Sequence, residues 1–267
     1  MALPLRVLVA GKGGVGKTTV SALLSHFLRD KGLRVLAVDA DSVPNLGIAL
    51  GLPPEVAGSI VPLVRNEELV EQRTGARPGQ AWGVLFRVNP RVDDLAERYG
   101  VSVGDGLSLL VVGSIDAAKQ GCLCPAIALA KRLLKHLVST ADDSSAVIVD
   151  SEAGAEVFGR GLAENFDHMI CVSEPTVASL DISKHLLRMG RQLGIREFSL
   201  IVNKMPEECG TLREAVERRF SGEARVFFVP RDPEVLRASI EGRGVGTLPD
   251  DSPAVSALRR AFSEMFG

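Results

Sequence analysis

The chain has 267 residues, of which 46% are hydrophobic and 24% charged, enough for one large core or two small ones. Its net charge of −2 supplies no basic field for nucleic acid, and no apolar run approaches the roughly 20 residues that a membrane span needs. The opening residues lack a secretory pattern, and four cysteines suit a reducing compartment better than a disulfide scaffold, so a cytoplasmic protein is expected.

The first predicted strand, Leu5–Ala10, runs into Gly11-Lys12-Gly13-Gly14-Val15-Gly16-Lys17-Thr18-Thr19 and then a helical segment, Thr18–Asp30, that stops at Gly32. Strand, glycine loop and helix form the context of a phosphate-binding loop. The glycines let the backbone N–H groups between Gly13 and Thr19 face a triphosphate without Cβ clashes, and the helix N-terminus adds partial positive charge. Lys17 is placed to reach the β- and γ-phosphates of ATP or GTP, and the Thr18 hydroxyl to ligate Mg²⁺. Gly11, Gly13 and Gly16 also fit a dinucleotide fingerprint, with Asp39 as its ribose acid, but that site has no use for Lys17-Thr18-Thr19.

The second strand, Arg34–Asp39, ends in Asp39-Ala40-Asp41, where ligands sit in a doubly wound sheet. One acid can hold metal-bound water while the other orients the attacking water; the plainer alternative is a pair that caps a helix. From about residue 53 to 103 the rhythm breaks, with Gly, Pro and charge and a strand predicted at Val84–Val88. This reads as an irregular insertion on the carboxyl side of the sheet within a single domain, 1–267. A strand at Leu107–Gly113 follows, then Gly121-Cys122-Leu123-Cys124-Pro125 ahead of a helix, Pro125–Val138. Thiols at a helix N-terminus favour thiolate. Cys122 and Cys124 supply two ligands and a tetrahedral soft-metal site needs four, which two copies on a two-fold axis would provide. Two unligated structural cysteines are the alternative. Cys171 reads as a core residue.

The strand Ala146–Asp150 ends in a second acid, placed to hold Mg²⁺ through water, and Glu152-Ala153-Gly154 follows, with the Gly154 amide available to a γ-phosphate. Then come a strand at Asp167–Ser173, a helix at Thr176–Leu193 closed by Gly194, and a strand at Phe198–Asn203. Asn203-Lys204 stands where a purine edge can be read, a turn cap being the plainer alternative, and Met205-Pro206 in place of the x-Asp usual in GTPases favours adenine over guanine. After a helix at Thr211–Phe220 and a strand at Ala224–Val229, Pro230-Arg231-Asp232-Pro233 can close over the base. A helix at Glu234–Glu241 and a docked amphipathic helix at Ala254–Phe266 complete the chain. Short apolar strands alternating with helices predict an α/β fold, a doubly wound and mostly parallel sheet.

A second lysine inside the loop, Lys12, makes the resemblance specific. Residues Gly11 to Thr19, Asp39-x-Asp41 and Asp150 resemble the deviant Walker A family that contains MinD, ParA, the tail-anchored-protein-targeting ATPase and the nitrogenase iron protein. The resemblance implies a P-loop ATPase converting ATP to ADP as a nucleotide-sandwich homodimer. Lys12 would cross to the partner's nucleotide, Asp41 would activate water and Asp39 would assist at Mg²⁺. Cys122-x-Cys124-Pro125, Asp150-x-Glu152-Ala153-Gly154-x-Glu156 and Gly159-Arg160-Gly161 are similar to the CooC-type nickel-insertion ATPases. That likeness implies a metal, Ni²⁺ or Zn²⁺, held by the cysteine pair and delivered to carbon monoxide dehydrogenase or an acetyl-CoA synthase type client. Ser151 through Phe166 contains no cysteine, which argues against the iron–sulfur electron-transfer ATPases of the same superfamily. Without a basic patch, a MinD- or ParA-like positioning role is also disfavoured.

Overall fold

The computed structural model describes residues 5–79, 85–114, 123–152, 165–207 and 209–267. Eight strands form one sheet in the order β3-β4-β2-β5-β1-β6-β7-β8. They are β1 (Leu5–Gly11), β2 (Arg34–Ala40), β3 (Val101–Gly104), β4 (Leu107–Val111), β5 (Ser145–Ser151), β6 (His168–Ser173), β7 (Glu197–Met205) and β8 (Arg225–Pro230). Every pairing is parallel except β3 with β4.

The alternation in β1 shows why both faces are covered. Leu8 and Ala10 enter one core, and Val7 and Val9 enter the other. On the first face lie the helices Cys124–Thr140, Val177–Gln192 and Gly210–Phe220; on the second lie Lys17–Asp30 and Pro253–Phe266. The last helix docks by Val255, Leu258 and Phe262, whose ring lies 5.7 Å from that of Phe27. Gly32 and Gly194 stop their helices in the left-handed region at φ 89° and 84°.

Two sequence expectations in the insertion need correction. Val84 lies outside the described residues, and Leu85–Val88 is not a strand. Leu85 is 93% and Val88 74% exposed, so this apolar run has no sheet or core to join. The strand present is β3, the antiparallel edge. The stretch is also less irregular than expected, with short helices at Pro54–Ser59, Glu67–Thr74 and Leu95–Tyr99. Its Leu63, Val64, Leu69, Val70, Val92 and Leu95 are buried in the same core as Leu8. Among the described residues no helix is long and apolar enough to cross a membrane.

Candidate nucleotide-binding site

The chain turns from β1 to β2 on one side and reaches β6 on the other, so the loop after β1 opens where the strand order reverses. Gly11 ends β1, and a Cβ on it would stand 2.2 Å from the carbonyl oxygen of Val172 on β6. Gly16 precedes the Lys17–Asp30 helix at φ 102°, and a Cβ there would stand 2.4 Å from Asn203 Nδ2. Both positions exclude a side chain. Among the described residues no side chain caps this helix and no acid lies in its first turn, whereas Asn66, Thr176, Asp232 and Ser252 cap others. Its N-terminus therefore carries the donors and the dipole that an anion requires.

Lys17 is buried, and its ammonium donates to the Lys12 carbonyl at 3.4 Å. The Lys12 side chain is exposed, as are Gly13 and Gly14. Behind the loop stands Asp150, 1% exposed, which accepts from the hydroxyls of Thr18 at 2.7 Å and Ser21 at 3.1 Å. Ser21 was not singled out by motif, although its i, i+3 spacing from Thr18 puts both hydroxyls on one helical face. Asp39, also 1% exposed, lies close enough to Asp150 to act on its charge. Burial, then the Asp39 charge, pushes Asp150 up to about 7; burial pushes Asp39 up to about 6. A Mg²⁺ ion fits this donor set of two buried carboxylates beside a hydroxyl, where its charge would add to that of Lys17 in favouring the ionised acids.

Asp39 is also structural. Its oxygens accept from the amides of Asp41 at 3.1 Å, Asn45 at 3.0 Å and Leu46 at 2.9 Å, which fastens the loop that carries Asp41. Asp41 is partly exposed and accepts from the Val43 amide at 3.0 Å. Arg65 of the insertion steadies the same loop, donating to the Ser42 carbonyl at 2.7 Å.

A cavity of about 640 Å³ opens beside the loop. Gly14, Gly16 and Thr19 line one wall, Asn203, Lys204, Pro230, Arg231 and Asp232 another, and Val235, Leu236 and Leu258 an apolar end. The cavity thus unites the loop with the sequence-chosen base segment. Two members also hold neighbouring elements in place. Asn203 Nδ2 donates to the Val15 carbonyl at 2.8 Å and Oδ1 accepts from the Lys204 amide, so this amide braces the loop. Asp232 Oδ1 accepts from the Glu234 amide at 2.9 Å, and Oδ2 accepts from the Ser252 hydroxyl and from the Ala254 amide at 3.2 Å. It joins two helix starts while lining the cavity. Lys204, at φ 57°, donates to the Gly14 carbonyl and to Glu174 Oε1, both at 2.7 Å. Glu174, Val235 and Leu236 are cavity residues that motif reading did not assign.

Cys124 opens its helix and is exposed, and Cys171 is wholly buried in the core with its thiol pushed up by burial. Cys122 and Gly154 lie outside the described residues, as do Gly121, Glu156 and residues 159–161. Among the described residues no group of three or more His, Cys, Asp or Glu side chains is placed to hold a metal ion.

Comparison with known proteins gives the family. The CbiA model, a CobQ/CobB/MinD/ParA nucleotide-binding domain, matches residues 7–245. The carbon monoxide dehydrogenase accessory protein CooC of Rhodospirillum rubrum is 38% identical over 216 residues, 80% of each chain. An uncharacterized ATP-binding protein of Methanocaldococcus jannaschii is 38% identical over 259 residues, 97% of this chain and 96% of that protein. MinD of Pyrococcus horikoshii, solved with Mg-ADP, shares the fold at TM-score 0.69 and 20% identity, covering 98% of this chain and 96% of that one. The chain belongs to the CobQ/CobB/MinD/ParA nucleotide-binding family and is a CooC-type, MinD/ParA-like ATPase.

Proposed function

We propose that this ATPase is a metallochaperone: a homodimer that closes on ATP, holds one Ni²⁺ or Zn²⁺ between its subunits, and passes the metal to an enzyme of the carbon monoxide dehydrogenase or acetyl-CoA synthase type. The observation that carries the reading is the pairing of an uncapped phosphate-binding helix with an exposed Cys124 at the start of a second helix. The likeness to CooC supports the client class.

The roles follow from position. Backbone amides from Gly13 to Thr19 bind the phosphates, and Lys17 turns from its own loop to the β- and γ-phosphates. Thr18 and Asp150 hold Mg²⁺, which would neutralise phosphate charge. Asp41 orients the attacking water, and Asp39 keeps the Asp41 loop in place. Lys12, exposed at the loop's tip, reaches the partner's nucleotide. Adenine enters the apolar end of the cavity, with Asn203 and Lys204 bracing the loop and Pro230 and Arg231 contributing backbone. The cargo metal binds the thiolates of Cys122 and Cys124 from both subunits, which makes four sulfurs. The protein works in the cytoplasm, without a membrane span or nucleic-acid partner.

The test removes ligands one at a time. C122S and C124S should each abolish metal retention, and chelation should weaken the wild-type dimer. Binding should weaken as pH falls, because thiolates must shed protons. K12A should lower ATP-dependent association in sedimentation more than it lowers nucleotide affinity. A double Cys→Ser variant that dimerises and keeps its metal sinks the proposal.

A further inference from the structure

β7 leaves its regular register beside the cavity. Between Val202, opposite Phe228, and Met205, opposite Pro230, it carries one residue more than β8. The bulge holds Asn203 and Lys204, and Lys204 takes a left-handed φ of 57°, which is uncommon for a lysine. From this bulge both side chains turn onto the phosphate loop. Asn203 Nδ2 donates to the Val15 carbonyl at 2.8 Å, and Lys204 Nζ donates to the Gly14 carbonyl at 2.7 Å.

A trans peptide points its C=O and its N–H in opposite directions. With the Gly14 carbonyl drawn to Lys204, the Val15 amide faces away from β7. With the Val15 carbonyl drawn to Asn203, the Gly16 amide does the same. The loop alone would not keep them there. Gly14 and Gly16, at φ 79° and 102°, let a peptide plane turn over at little cost, and a turned plane would show a carbonyl to an anion. Glu174, the first residue past β6, completes the arrangement, because its Oε1 accepts from the same ammonium at 2.7 Å. Its own backbone is fixed: the amide donates to the Ser179 hydroxyl at 3.0 Å, and the carbonyl accepts from the Thr176 amide at 2.8 Å. The Lys204 and Glu174 side chains are 44% and 33% exposed, where an ion pair adds little to stability. What the pair adds is direction.

We infer that Lys204 and Glu174 are positioning residues: Glu174 aims Lys204, and Lys204 pins the Gly14 carbonyl outward, so that the Val15 amide faces the phosphates before ATP arrives. The inference rests on the reading that the loop amides bind phosphate, and it is independent of the metal cargo.

Calorimetric titration with Mg-ATP and with inorganic tripolyphosphate plus Mg²⁺ tests it. K204M should bind both ligands about 10-fold more weakly, the weight of a hydrogen bond from a charged donor. A loss with ATP and none with tripolyphosphate would put Lys204 at the base and overturn the inference. E174Q sets aim against charge. A lysine acting by charge alone would bind phosphate more tightly once the carboxylate beside it is neutral. An aimed lysine should bind both ligands about 2- to 5-fold more weakly, the weight of an exposed ion pair. Tighter or unchanged binding in E174Q overturns the pair. K204R has donors enough for both oxygens and should recover most of the K204M loss, which separates a lost clamp from a misfolded chain; no recovery counts against the clamp. Wild-type protein that binds ATP but not tripolyphosphate removes the phosphate reading itself, whereas K204M equal to wild type with both ligands removes only the clamp.

Discussion

The acids at the ends of β2 and β5 and the acid just after β8 hold like places at the carboxyl edge of the sheet, yet their surroundings differ. Among the described residues Asp150 accepts from two hydroxyls, and burial, then the Asp39 charge, pushes it up to about 7. Asp39 receives three amides, yet burial still pushes it up to about 6. Burial also acts on Asp232, but donation by Ser252, Ala254 and Glu234 outweighs it and holds that carboxyl below the usual range. A strand-end acid serves a ligand when its oxygens are left in want of a cation, and serves the fold when backbone and hydroxyl donors have already filled them.

The contrast breaks first at the phosphate loop. K17A should lose ATP binding, because the buried ammonium beside the loop is the charge that the β- and γ-phosphates need; equilibrium titration with a fluorescent ATP analogue reads this. D41A should bind ATP and hydrolyse it about 10²–10⁴-fold more slowly, the usual contribution of a group that positions or deprotonates water. Steady-state turnover close to wild type in D41A would remove Asp41 from its role. At the other end, D232A should cost about 2 kcal/mol of stability by uncapping one helix and releasing Ser252 and the Ala254 amide at the start of another, a fall of about 5 °C in Tm, while leaving ATP affinity nearly unchanged. A large loss of affinity without loss of stability would give Asp232 a direct part in base binding.

The smallest effect is the dependence on pH. Asp39 and Asp150 hold their protons more tightly in the fold than in the unfolded chain, whose carboxyls titrate near 3.8. Their stabilisation is complete below that value and is lost as pH rises through about 6 to 7. His168 works the other way: burial and then the charge of Arg225 lower it to about 4, so it destabilises the fold as pH falls below 6.5. The readout is therefore the difference in Tm between D150N and wild type, both free of nucleotide and Mg²⁺. That difference should grow in favour of D150N from pH 5 to pH 8. A constant difference would mean that Asp150 is charged throughout.

Legibility in the sequence followed the same division. The loop from Gly11 to Thr19 and the parallel strands were readable because each is a run whose period or residue set has one structural use. The antiparallel β3 was not, since Val101-Ser102-Val103-Gly104 is too short to show its alternation. Val84–Val88 misled because an apolar run says nothing about whether a neighbour exists to cover it. The insertion helices span one or two turns, below the length at which a periodic face shows. Asp232 carried a second signal: Asp before Pro233 and Glu234 is a helix N-terminus pattern, and the structure follows it. The braces at Asn203 and Lys204 join residues far apart in the chain, and no local pattern announces such contacts.

The most direct test of the ATP-gated, metal-sharing dimer is one native mass spectrum of the wild-type protein with Zn²⁺ and a non-hydrolysable ATP analogue. Two chains, two nucleotides and a single Zn²⁺ in one species is the expected mass. Monomers that each carry their own Zn²⁺, or a nucleotide-bound dimer with none, would contradict it.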